Sequence, residues 1–321
     1  MIKSKKLIIL HLTGGLGNQL FQLAFAISKS EKLKSKVLIE WSLGNPRLNE
    51  REIPEILSYD LPDFVKMEIK KHPKLLAIKA TGIRLRNGVA PKKWETNPII
   101  KFAITVTSQI VLSIYFKRIL RINTGKGIGF CEMEIKSNLD NFLIGYFQSY
   151  MYVIKPEVLL IFQNFQLTDG SEYLEKMKSL AMVENPLIVH VRLGDYKNEK
   201  EFGVLPISYY EKAIDFQWST GLYKKIWVFS DEIELCKEFI PSRYHSFVSW
   251  IVNEGESSAE ILEVMKAGMG YIIGNSTFSW WAAFLSKNKQ AIVCAPSRWF
   301  LNLEAPKLFI PANWHTIDIE Q

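Results

Sequence analysis

The sequence predicts an α/β protein of two domains, each a parallel sheet with helices on both faces. Strand-like runs alternate with helix-period segments toward both ends of the chain. The apolar runs are short and continuous, as strands buried on both faces require. With 321 residues, 48% of them hydrophobic, the chain is long enough for two cores. The break is expected between 150 and 180, which gives an N-terminal domain over 1–160 and a C-terminal domain over 161–321.

"KKLIILHL" opens the chain as a buried strand, and "QLFQLAFAISKSEKL" follows with helical spacing at Leu20, Leu23, Ala24 and Ile27. "KVLIEW" is a second strand, so the start reads as a βαβ unit. From 45 to 135 six prolines (Pro46, Pro54, Pro62, Pro73, Pro91, Pro98) predict irregular structure. The alternation returns with the strand "NPLIVHV", the helix "ISYYEKAIDFQWS", the strand "KKIWVFS" and the helix "IELCKEFI". The helix "SSAEILEVMKAG", the strand "MGYIIG", the helix "FSWWAAFLSKN" and a last strand "QAIVCAP" complete it. Trp280 and Trp281 are expected in the core.

Cys131, Cys236 and Cys294 are odd in number and widely spaced, which suggests neither a disulfide framework nor a zinc site and points to a reducing compartment. The apolar stretch behind the first lysines is too short for a signal peptide, so a cytoplasmic location is expected. Residues 66–126 hold fourteen Lys or Arg against Glu68 and Glu95, a net +12 that leaves −5 for the remainder. This asymmetry reads either as a solvated basic face or as a surface for an anionic partner. Inside it, "FAITVTSQIVLSIYF" (102–116) carries no charge and is too short to span a bilayer. A buried helix is expected there, with a segment lying on a membrane surface as the second reading.

Four stretches carry chemistry. In "HLTGGLGNQLFQ", Gly15-x-Gly17 after a strand begins a dinucleotide fingerprint, with Glu40 about where a ribose-binding carboxylate would sit. Leu20 stands where the third glycine belongs, and no Lys-Ser or Lys-Thr pair follows, which excludes a Walker loop. What remains is a tight turn at a helix start, open to an anion or a sugar. In "HVRLGDY", His190 and Arg192 lie at a strand's carboxyl end, and the Arg192 fork suits phosphate oxygens or a salt bridge to Asp195. In "VFSDE", Asp231 and Glu232 fit either a divalent cation or a helix cap. In "GNSTFSWWAAFL", Ser276 and Thr277 sit at a helix N-terminus suited to an anion.

Together "GGLGNQLFQ", "GYFQS" (145–149), "HVRLGDY", "FSDEIELCK" and "NSTFSWWAAFL" resemble glycosyltransferase family 11, the α-1,2-fucosyltransferases, in the family's order and over most of the chain. The resemblance implies a GT-B architecture, two Rossmann-like domains facing a central cleft. It implies an inverting transfer of L-fucose from GDP-L-fucose to the 2-hydroxyl of a β-galactoside, in O-antigen or capsule synthesis, with no cofactor and no metal. Arg192 is then the cation for the β-phosphate, and Asp195 is its catalytic companion and a candidate general base beside Glu199 and Glu201. His190, Ser230, Asp231, Ser276, Thr277 and Phe278 are expected at the nucleotide-sugar, with Glu260 or Glu263 reading guanine. Gly15, Gly17, Asn18 and Gln19 are expected on the acceptor side. The family usually has a second arginine where this chain has Leu193, which predicts a weaker contact there.

The expected partners are a GDP-sugar donor, a galactose-containing and lipid-linked acceptor, and an anionic membrane surface at the inner face, with no nucleic acid. Two alternatives stay open: a family member using another GDP-6-deoxy sugar such as GDP-colitose, and a non-catalytic protein binding nucleic acid or a membrane through the basic 66–126 region. A nicotinamide oxidoreductase is disfavoured by Leu20.

Overall fold

A computed structural model describes residues 6–40, 54–68, 120–125, 129–198, 202–302 and 306–319, together with positions 106, 107, 110 and 114. The chain forms two compact units. Unit 1 comprises Met1–Phe165 with Lys307–Phe309, and unit 2 comprises Gln166–Pro306 with Ile310–Gln321.

Unit 1 is built on β1 (Leu7–His11), β2 (Lys36–Glu40), β3 (Val65–Glu68), β4 (Leu120–Thr124) and β5 (Asp140–Ile144). All pairings are parallel, in the order β3-β2-β1-β5-β4. Helix α1 (Leu16–Leu33) crosses from β1 to β2, and Lys34 ends it in the left-handed conformation. Ile9, Leu120, Phe142 and Ile144 form a core cluster across the sheet. Helix α2 (Pro156–Gln163) starts on a proline, whose missing N–H costs nothing in the first turn. Chain 307–309 returns to this unit: Phe309 packs on Phe21, and Ser149 Oγ donates to the Leu308 carbonyl at 2.6 Å.

Unit 2 contains α3 (Glu172–Glu184), β6 (Pro186–Val191), α4 (Ile207–Ser219), β7 (Lys225–Ser230), α5 (Ile233–Cys236), β8 (Val248–Ile251), α6 (Ser258–Met265), β9 (Gly270–Ile272), α7 (Thr277–Phe284), β10 (Val293–Pro296) and β11 (His315–Ile317). Its six parallel strands run β11-β10-β9-β6-β7-β8, the doubly wound Rossmann order counted from β6. Every residue of β6 is buried, as its unbroken apolar run requires. Leu187, Val189, Ile226 and Val228 pack with Tyr209 and Tyr210 of α4. Trp280 and Trp281 are fully buried, as expected.

Four expectations change. The proline-rich middle contains β3 and β4, which complete the first sheet. "QAIVCAP" is not the last strand, because the short β11 pairs outside it. "IELCKEFI" holds helix only to Cys236 and then tightens into a 3₁₀ turn. Most of 102–116 lies outside the described residues, but Val106, Ile110 and Ile114 are helical and exposed where a buried helix was expected. Their spacing of four puts them on one face, and that face meets solvent.

Candidate functional site

In a doubly wound sheet the ligand crevice opens at the carboxyl ends of the strands where their order reverses. In unit 2 that point lies between β6 and β9, which brings the loops "RLGDY" and "GNST" together. β6 ends at Val191, and Arg192 begins the first loop. Arg192 Nη2 donates to Asp195 Oδ1 at 2.8 Å, and Nη1 lies 3.1 Å from Asp231 Oδ2. Burial alone would lower the guanidinium's pKa, but Asp231 and Asp195 outweigh it and hold it above its ordinary value. The guanidinium also lies 5.5 Å from the centre of the Tyr196 ring. About a third of the side chain stays accessible, so the fork is held and still reachable.

Asp231 Oδ1 accepts from the Leu193 amide at 3.0 Å. A Cβ at Gly194 would stand 2.3 Å from Asp231 Oδ2, so only glycine lets the carboxylate reach behind this loop. Glu232 pairs with Lys197, and Ser230 Oγ accepts from the Glu232 amide. Asp231 thus braces Arg192, and neither side chain caps α5, whose N-cap residue Glu232 makes no side-chain cap bond. Leu193 is 2% exposed and belongs to the core, so position 193 here is a packing position.

His190 is 6% exposed, and its Nδ1 has no hydrogen-bond partner. Burial first, then the Arg192 charge, lowers its pKa to about 4 against the opposing pull of Asp231, so the ring is neutral at pH 7. Phe278 lies 6.2 Å from it, ring to ring. Ser276 caps α7 by accepting from the Phe278 amide at 3.3 Å, and Thr277 begins the helix. Asn275, not among the residues expected at the site, lies in the same turn. Its Nδ2 donates to the carbonyls of Phe202 and Gly203, its own carbonyl accepts from Tyr196, and its buried Oδ1 is unmatched. A polar residue closing the apolar run that begins with β9 (Gly270–Ile272) was the available signal.

Glu260 closes a capping box with Ser257, and Glu263 is buried in an ion pair with Lys266 at 2.7 Å. Both carboxylates are engaged inside unit 2, and guanine reading by either rests on the resemblance. Asp195 stands as the orienting partner of Arg192, whereas Glu199 and Glu201 lie outside the described residues.

In unit 1 the glycine turn already meets a carboxylate of this chain. Glu55 Oε2 accepts from the Leu16 amide at 2.7 Å and so fills the first donor of α1, just beyond Gly15. Gly14 takes φ +77, and a Cβ there would meet Asn18 Nδ2 at 2.6 Å. Gln19 is buried with both ends of its amide bound, to the Gly14 carbonyl and the Ile56 amide, and so it ties the turn rather than facing a ligand. Gly17 is buried inside α1. Glu40 is buried against His11 Nδ1 at 3.2 Å, which removes it as a ribose ligand.

Among known proteins, the chain is similar to the O-antigen biosynthesis glycosyltransferase WbnK of Escherichia coli, at 29% identity over 92% of this chain and 96% of that protein. It is also similar to an α-1,2-colitosyltransferase of Escherichia coli, at 25% identity over 92% of each. A solved structure, the fucosyltransferase NodZ from Bradyrhizobium, aligns with a TM-score of 0.48 and 15% identity over 88% of this chain and 94% of that one, a likeness too distant to bear on chemistry. The family profile for glycosyl transferase family 11 matches residues 113–313, a span that takes in β6, Arg192 and the α7 turn. The chain belongs to glycosyl transferase family 11.

Proposed function

We propose that this chain is an inverting transferase that moves L-fucose from GDP-L-fucose to the 2-hydroxyl of a β-galactoside in O-antigen or capsule synthesis. The observation that carries the reading is Arg192, a half-buried cation braced by Asp195 and Asp231 at the switch point of unit 2. A fixed guanidinium there neutralises the diphosphate as it leaves, without a metal. The acceptor oxygen attacks C1 as the C1–O bond to the β-phosphate breaks, and the hydroxyl proton passes to a base. Neutral His190 and the first turn of α7, with Ser276, Thr277 and Phe278, supply polar contacts to the nucleotide-sugar that add no further charge. The α-1,2-colitosyltransferase relative favours a second reading with GDP-colitose as donor, on the same machinery.

The test is calorimetric titration of the wild type and Arg192→Ala with GDP, GDP-L-fucose and GDP-colitose, with EDTA present. Metal-independent GDP binding that collapses in the variant supports the reading, and the tighter of the two sugar nucleotides names the donor. Absence of GDP binding in the wild type overturns it.

The proposal extends to an anionic membrane surface, where a lipid-linked acceptor would be met. It is supported by the exposed stripe Val106, Ile110 and Ile114 within a stretch flanked in sequence by Lys101, Lys117, Arg118 and Arg121. Among the described residues no helix is long and apolar enough to cross a membrane.

A further inference from the structure

Asp195 and Asp231 both reach Arg192 at its Nη end, so the guanidinium is gripped along one edge. A planar group held at an edge can still tilt about it, and a contact on its face stops the tilt. Tyr196 supplies that contact, with its ring centre 5.5 Å from the guanidinium carbon.

The ring is itself held from several loops of unit 2. The Tyr196 hydroxyl donates to the Asn275 carbonyl at 3.2 Å, which ties the loop after β6 to the loop after β9 across the switch point. The Tyr196 ring stacks on Phe202 at 5.5 Å and 26°, and Phe202 in turn makes an edge contact at 5.0 Å with Phe300, in the loop after β10. Asn275 fixes this shelf as well: its Nδ2 donates to the carbonyls of Phe202 at 3.2 Å and Gly203 at 3.0 Å. The Phe202 carbonyl also accepts from the Leu301 amide at 3.4 Å. Gly203 takes φ +66, a conformation that glycine adopts without strain. Asn275 and Phe300 are both buried, so a half-buried tyrosine rests on a packed frame.

We propose that Tyr196 is a positioning residue. Its ring fixes the tilt of the Arg192 guanidinium, and its hydroxyl, through Asn275, fixes the spacing between Arg192 and the Ser276–Phe278 turn. The inference rests on the transferase reading, in which Arg192 and that turn both meet the nucleotide-sugar, and deepens it by naming what holds them in register.

Tyr196→Leu and Tyr196→Phe are each made in the wild type and in Arg192→Ala, and GDP is titrated by calorimetry. Tyr196→Leu is expected to weaken GDP binding by about fivefold to tenfold. Tyr196→Phe keeps the ring and loses the tether, so a smaller loss of about threefold is expected. In Arg192→Ala either change should shift GDP affinity by less than about twofold, because the group being positioned is gone. Losses that persist in full without Arg192 reduce Tyr196 to packing and overturn the proposal, as does a folded Tyr196→Leu variant with wild-type affinity. If Tyr196→Leu does not fold, the Tyr196→Phe cycle decides on the same criteria.

A ligand-free readout separates this inference from the transferase reading. The Arg192 side-chain N–H signal in NMR, identified by its loss in Arg192→Ala, is expected to exchange with solvent about threefold faster in Tyr196→Phe and about tenfold faster in Tyr196→Leu. If the wild type binds no GDP, the transferase reading falls on its own. Faster exchange then sustains the positioning role, and unchanged exchange removes it.

Discussion

Arg192 Nη1 stands 3.1 Å from Asp231 Oδ2, an ion pair that joins the loop after β6 to the end of the neighbouring strand β7. The same carboxylate holds the Leu193 amide, so one side chain fixes both the charge and the backbone of the loop after β6. Removing the cation deletes a charge-assisted contact worth about 1.5–3 kcal/mol, so Arg192→Ala is expected to weaken GDP binding by about tenfold to more than a hundredfold. Gly194→Ala drives a methyl into Asp231 and is expected to reproduce the milder loss of Asp231→Asn, about tenfold, with Arg192 intact. Calorimetry on the three variants checks the order, and a Gly194→Ala variant that binds GDP like wild type breaks the link.

His190 predicts a pH dependence of stability. Its pKa falls from an ordinary 6.5 to about 4 on folding, so the unfolded chain binds the proton more readily. The neutral ring's contribution is complete above about pH 6.5 and is lost as pH falls toward 4, on the order of 3 kcal/mol when fully protonated. Urea unfolding of wild type and His190→Gln from pH 7 to 4 should show a smaller decline in the variant. Parallel curves would place the ring in a more polar setting than its burial indicates.

Restoring the family's second arginine should harm this chain. Leu193 is packed with the unit 2 core, so Leu193→Arg buries a charge or expels the loop, at a cost of about 3 kcal/mol or more. The denaturation midpoint is expected to drop, with no tightening of GDP binding. A stable variant with tighter GDP binding would show that position 193 can turn outward.

The exposed stripe predicts salt-sensitive binding to anionic phospholipid vesicles. Ile110→Asp with Ile114→Asp is expected to reduce cosedimentation by about tenfold and leave GDP binding unchanged. Vesicle binding that survives both substitutions would move the membrane contact to the basic residues alone.

Local pattern alone carried much of this protein. The unbroken apolar runs of β1, β6 and β7 and the helical spacing of α1 and α4 were legible because buried parallel strands and core-facing helices impose their periods on the residues themselves. The positions of Arg192 and the Ser276–Phe278 turn were legible for a related reason, since a polar run that follows a buried parallel strand lies at the carboxyl-end face of the sheet. β3, β4 and β11 escaped because their few residues become strands only by pairing with neighbours already in place. Partnership was the other thing that sequence could not assign. Gln19 ties backbone while Gln148, far along the chain, holds Asn18, and Asp231 braces Arg192 where the sequence left a cation, a helix cap and the nucleotide-sugar all open. Which polar groups end up satisfied and which are left open for a ligand depends on contacts between residues distant in sequence, and those form only when the sheets close.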